Sequence, residues 1–125
     1  MKNKAEDFFI KIFSYGEGKM VKELLKKYEE YRTEIAICKR FRHELSGELQ
    51  RISKAIDCLN KCIALLGNEE AEIIRKMYFE HESIKMVADK YGYTKSGMQY
   101  KRDKIIMKLT YLYERASHYI NGESE

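Results

Sequence analysis

The chain reads as an all-α protein in which a long heptad-patterned, coiled-coil-like helical segment precedes two short helices joined by a tight turn. Three observations predict this. The 125 residues contain no proline and no alternating run rich in β-branched residues, so nothing argues for strands. Apolar side chains from Val21 to Leu66 recur at alternating steps of three and four, the spacing of a helical seam. Residues 83–109, SIKMVADKYGYTKSGMQYKRDKIIMKL, show two apolar stripes at helical spacing on either side of Gly92. With 44% hydrophobic and 35% charged residues, the length amounts to one domain's worth of chain, enough to bury a core.

Taken in order, residues 5–13 (AEDFFIKIF) suit a short amphipathic helix, and Gly16 and Gly18 make residues 1–18 end in a linker. Residues 19–67 carry the seam: Val21, Leu24, Tyr28, Tyr31, Ile35 and Cys38, then Leu45, Leu49, Ile52, Ile56, Leu59, Ile63 and Leu66, with Arg42 at the polar position between the two series. Two architectures satisfy this pattern. One is a single helix on the order of 70 Å long, which needs a partner along its whole length. That partner is expected to be a second copy, and the homodimer seam would use Leu24, Tyr28, Ile35, Leu45, Leu49, Ile52, Ile56 and Leu59. The other is an antiparallel hairpin turning near Ser46 and Gly47, which closes its own core. The unbroken phase across residue 42 leans toward the continuous helix, and both readings stay open.

Residues 68–120 form the next unit. Gly67 reads as the C-cap of the seam helix and Asn68 as the N-cap of the following one, which spans 69–80 with Glu69 and Glu70 favourably placed against its dipole and a stripe of Ile73, Ile74, Met77 and Tyr78. Ser83 caps a helix whose stripe is Ile84, Val87, Ala88 and Tyr91. Gly92 supplies the left-handed turn, Tyr93 follows as an apolar plug, and Thr94 caps the last helix, buried through Met98, Ile105, Ile106 and Leu109. Its pattern continues through Leu112, Tyr113, Ala116 and Ile120, so it should run to about residue 118, leaving 121–125 as a frayed tail.

The charge is concentrated. Residues 81–109 hold seven Lys/Arg against three acids, an excess equal to the net +4 of the whole chain. A local positive potential is what phosphate attraction requires, and a helix lying in the major groove needs long polar side chains to reach base edges. Thr94, Lys95, Ser96, Gln99, Tyr100, Lys101, Lys104 and Lys108 are the candidates on the second helix. The plainer alternative is a solvated cationic face that only keeps the chain soluble; the caps and turn weigh against it because they point the same way as the charge.

Other chemistry finds little support. His43, His81 and His118 are scattered, and no Gly-rich phosphate loop or nucleophile motif occurs, so no enzyme and no cofactor are expected. Cys38, Cys58 and Cys62 with His43 are conceivable metal ligands, but small buried hydrophobes are the simpler reading, and an odd thiol count argues against a disulfide framework. No leader peptide and no apolar stretch of bilayer-spanning length are seen, so a cytoplasmic protein without a membrane partner is expected.

The stretch from Asn68 to Leu109 resembles region 4 of bacterial sigma factors: an acid-rich start, Tyr78-Phe79-Glu80, Ser83 with Ala88, Gly92-Tyr93-Thr94, and a basic helix ending in Lys108-Leu109. More closely it is similar to the sigma-region-4-like phage regulators of the ArpU and RinA type, which activate late genes in phages of low-GC Gram-positive bacteria. That resemblance implies a helix-turn-helix with Thr94 at the cap of the recognition helix, Lys95, Ser96, Gln99 and Tyr100 facing the groove, and Met98, Ile105, Ile106 and Leu109 buried. It covers about a third of the chain. His81 stands where that pattern has a helix-ending glycine, Gly97 occupies an exposed recognition position, and Lys101 replaces an apolar residue.

The resulting expectation is a sequence-specific regulator of transcription that binds double-stranded DNA, a phage or prophage late-gene activator, acting as a homodimer and with RNA polymerase as a further partner. Two alternatives use similar parts. One is a small terminase-like DNA-packaging protein, which ring assembly would favour. The other is a helical interaction protein that binds RNA polymerase without touching DNA.

Overall fold

Three hydroxyl side chains set three of the helix starts. Ser46, Ser83 and Thr94 each sit in extended backbone and each accept a hydrogen bond from the backbone N–H three residues on: Leu49 (3.1 Å), Met86 (3.1 Å) and Gly97 (3.0 Å). The computed structural model describes residues 17–119. The expected short helix at 5–13 and the tail at 121–125 lie outside the described residues. Six helices follow one another: α1 Glu17–Lys26, α2 Tyr28–Arg40, α3 Gly47–Ala64, α4 Asn68–Ile74, α5 Ile84–Tyr91 and α6 Lys95–Ser117. The fold is all-α, with no strand among the described residues.

The seam segment is a hairpin, not a single helix. Arg42, read as a polar seam position, is the stop: its backbone is left-handed (φ 55°), and the His43 N–H donates back to the Cys38 carbonyl (2.8 Å). This is the bond pattern of a left-handed helix stop, usually built on glycine. The chain then crosses to Ser46 and returns as α3, which packs on α2. Both arms must show an apolar stripe to the same core whether or not they are continuous, so an unbroken heptad phase does not exclude a turn. α1 and α2 are nearly continuous, interrupted only at Lys27 (φ −102°, ψ 11°); Lys27 N–H still donates to Glu23 and Tyr31 N–H to Lys27. α1 begins at Glu17, so Gly18 lies within its first turn and not in a linker.

The hairpin absorbs much of the seam expected to face a second copy. Leu24, Tyr28, Ile35, Ile56 and Leu59 are buried within the protomer, while Leu45, Leu49 and Ile52 near the tip are half-buried. The first five are therefore occupied by the chain's own packing, because a hairpin supplies internally the partner that a lone helix would need from outside. Cys58 and Cys62 are buried in the same core, as small hydrophobes are, and Cys38 is half-buried.

The α3–α4 junction differs in its caps. Gly67 has φ −63° and is the N-cap of α4, not the left-handed stop of α3, and its N–H donates to Glu70 Oε1 (3.1 Å). Asn68 is consequently the first helical residue. α3 closes with two tight bonds, Leu65 N–H to Cys62 and Leu66 N–H to Ile63. α4 also does not continue regularly to residue 80: after Ile74 it widens into a π-type turn, Arg75–Phe79, in which Glu80 N–H donates to the Arg75 carbonyl. The wider turn presents Phe79 to Tyr28, whose rings stack at 4.0 Å, and the Tyr28 hydroxyl donates to Asn60 Oδ1 (2.8 Å). His81 ends the turn with φ 58°, the left-handed conformation that its position implies.

α6 is the central element, packed by α1, α3, α4 and α5. Met98, Ile105, Ile106 and Leu109 are essentially inaccessible, as their spacing predicts, and they meet Leu25, Leu59, Ile63, Ile73 and Ile74. Thr110 is buried among them and satisfies its hydroxyl by donating to the Ile106 carbonyl (2.8 Å).

Candidate nucleic-acid interface

α5 and α6 meet at a turn whose geometry follows from Gly92. Its φ of 78° lets the Gly92 N–H reach the Asp89 carbonyl and the Tyr93 N–H the Ala88 carbonyl (2.9 Å), so α5 stops at Tyr91. Thr94 then restarts the chain as α6. Gly97 is half-buried against this turn and not an open recognition position: a Cβ there would lie 3.1 Å from Thr94 Oγ1 and 3.7 Å from the Tyr93 ring. Cap and plug together account for the glycine.

The eight candidate side chains divide into two groups. Thr94, Lys95, Ser96, Gln99, Tyr100 and Lys104 are exposed over the first turns of α6, with Tyr100 66% accessible. Lys104 Nζ lies 5.7 Å from the Tyr100 ring centroid, a cation–π contact that orders both side chains on the same face. Lys101 and Lys108 are half-buried. Lys108 Nζ is 3.0 Å from Glu70 Oε1, and Lys101 is near enough for its charge to help lower the Glu70 carboxyl. These two lie seven residues apart on one side of α6, beside Glu70 of α4.

Glu70 and Glu72 are the contributors that the sequence did not reveal. Glu70 and its neighbour Glu69 were legible as partners of the α4 dipole, yet Glu70 and Glu72 also anchor the α5–α6 pair. Glu72 accepts from Lys90 Nζ (3.1 Å) and from the Tyr91 hydroxyl at the end of α5, while Glu70 holds Lys108 of α6. Burial pushes the Glu70 carboxyl up, but the Lys108 bond, the Gly67 N–H and the Lys108 and Lys101 charges outweigh it and hold it below the usual carboxylate range. The Tyr91 and Lys90 bonds do the same for Glu72. Burial and the Glu72 bond push the Tyr91 phenol up to about 12. Pairs linking residues far apart in sequence have no periodic signature, so spacing alone could not find them.

The clamp also changes the charge available to a ligand. Lys90 and Lys108 are engaged with α4, and Arg102 pairs with Asp103 (3.2 Å). Lys85, Lys95, Lys101 and Lys104 form no ion pair among the described residues, and Lys85 and the exposed Met86 add α5 side chains to the solvent face. Among the described residues no cluster of three His, Cys, Asp or Glu gathers as metal ligands, and no helix is long and apolar enough to cross a membrane. No family model, no curated protein and no solved structure matches this chain.

Proposed function

We propose that this chain is a sequence-specific double-stranded-DNA-binding regulator of transcription, a phage or prophage late-gene activator, with α5 and α6 acting as a helix-turn-helix. The observation that carries the reading is the exposed start of α6: Lys95, Ser96, Gln99, Tyr100 and Lys104 project from a helix whose opposite side is locked into the core by Met98, Ile105 and Ile106. A rigidly seated helix with a polar and cationic leading end is what major-groove reading demands. Gln99 has the amide needed to pair with adenine, and Lys95 and Lys104 have the charge to meet phosphates.

Selection of bound sequences from a random duplex pool tests this, followed by binding of Gln99→Ala and Lys104→Ala to preferred and scrambled duplexes. Gln99→Ala should weaken the preferred site by about 1–3 kcal/mol and leave scrambled DNA unchanged. Lys104→Ala should weaken both alike and lower the salt slope by about one. Absence of any duplex binding at low salt, or identical behaviour of the two variants on both duplexes, defeats the reading.

A further inference from the structure

One face of α2 is left open by the described residues. Tyr28 and Ile35 are buried toward the core, but on the opposite side Ile37 is 52% and Phe41 75% exposed. Phe41 lies just past the last turn, yet its N–H still donates to the Ile37 carbonyl (3.0 Å), so the two side chains follow one another along the same face. One turn earlier, Glu29, Glu30, Thr33, Glu34 and Ile37 line a shallow hollow. Charge is graded along this face: Glu30 and Glu34 lie in the first half and Arg40 at the end, while Glu29 is paired with Arg32 (3.8 Å).

We infer that this face docks a second copy of the same chain, α2 against α2, antiparallel about a two-fold axis near Ile37. That axis sets residue 41 of one copy opposite residue 33 of the other, which seats each Phe41 ring at its partner's hollow. Glu34 of each helix then lies opposite Arg40 of the other. Parallel pairing would set acid on acid and base on base, so the charge pattern selects the antiparallel arrangement. The contact is isologous and closes at two copies, because the same patch serves both sides. α2 is only about 20 Å long, so the association is of the weak class that buries less than about 1,200 Å². None of these residues belongs to α5 or α6, and the pairing stands whether or not the chain binds DNA.

Sedimentation equilibrium of the full chain tests it between roughly 1 µM and 1 mM, the span over which so small an interface associates. The mass should rise from 14.9 kDa toward twice that value. Phe41→Asp should hold it at one copy with unchanged helicity, since the Phe41 side chain packs against little among the described residues. A charge-reversal pair gives the decisive result. Glu30→Lys with Glu34→Lys makes the face basic at both ends, and Arg40→Glu makes it acidic at both ends. Each variant alone should self-associate at least about tenfold more weakly, while an equimolar mixture forms a one-to-one dimer. A wild-type chain that keeps the mass of one copy throughout overturns the inference, and that outcome includes coverage of the face by the chain's own residues 5–13. A dimer indifferent to Phe41→Asp, or a mixture that fails to pair, overturns it equally.

Discussion

His81 and Arg42 hold left-handed backbone without being glycine, each at the end of a helical stretch. For an L side chain that conformation costs roughly 1–2 kcal/mol, part of which glycine recovers before its greater freedom in the unfolded chain is counted. His81→Gly is expected to raise stability by about 0.5–1 kcal/mol, a gain of a few degrees in Tm for a chain this size. Gly92→Ala should lower it by about 1 kcal/mol, since the same conformation is then imposed on a residue with a Cβ. Thermal melts of the two variants run in opposite directions if the backbone is as described. The same scale shows what single residues disclose. Ser83, Gly92 and Thr94 announced their turn because each has a side chain, or lacks one, that only a few backbone states use well. Arg42 announced nothing, since an arginine at a heptad position looks like a polar interruption whether the helix continues or stops.

Among the elements, α4 behaves as a clamp whose hold depends on pH. The folded Glu70 and Glu72 carboxyls lie below the ordinary value of 4.5, so their stabilising contribution is fully present above that value and is lost as pH falls through the lowered ones. Tyr91 works in the opposite sense: with its phenol raised from 10.0 to about 12, its contribution is present below pH 10 and lost as pH climbs toward 12. Urea midpoints should therefore be flat across the neutral range and fall at both ends. Glu70→Gln should cost roughly 1 kcal/mol at neutral pH and flatten the acid limb, whereas an acid limb identical to wild type would mean that Glu70 does not stabilise the dock. Lys108→Ala belongs to this same pair, and its first effect should be on stability and not on phosphate contact.

α3 permits an independent check on the hairpin. Burial pushes the Cys62 thiol up to about 12, with Cys58 adding to the effect, and burial also raises Cys58. A thiol-specific reagent at pH 8 should modify Cys38 readily and reach Cys58 and Cys62 only on unfolding, because they are both protonated and inaccessible. Equal reactivity at all three would place α3 outside the core. The stripes of α2 and α3 were readable from their spacing, but which stripe faces which was not, since periodicity records the existence of a buried side and not its partner.

For the molecule as a whole, the central place of α6 should make the two halves of the chain one cooperative unit. Leu109→Ala should cost about 2–5 kcal/mol, and Ile56→Asp should unfold the protomer outright, because both side chains lie within a shared interior. Denaturation followed by far-ultraviolet dichroism and by tyrosine fluorescence should give one coincident transition; two separated transitions would show that the hairpin and the α5–α6 pair are independent bodies. The all-α class was legible from composition and spacing. The packing of α1 on α6 was not, since it joins segments some 80 residues apart that share no motif.

That long-range closure dictates an order of events at the ribosome. α1 is synthesised early and α6 last, so Val21, Leu24 and Leu25 leave the exit tunnel long before Met98, Ile105 and Leu109 exist to cover them. The hairpin arms have each other during that interval, but the α1 side that will meet α6 has no cover. A growing chain arrested before residue 95 should thus expose an apolar strip, open to unwanted association until the final helix is made.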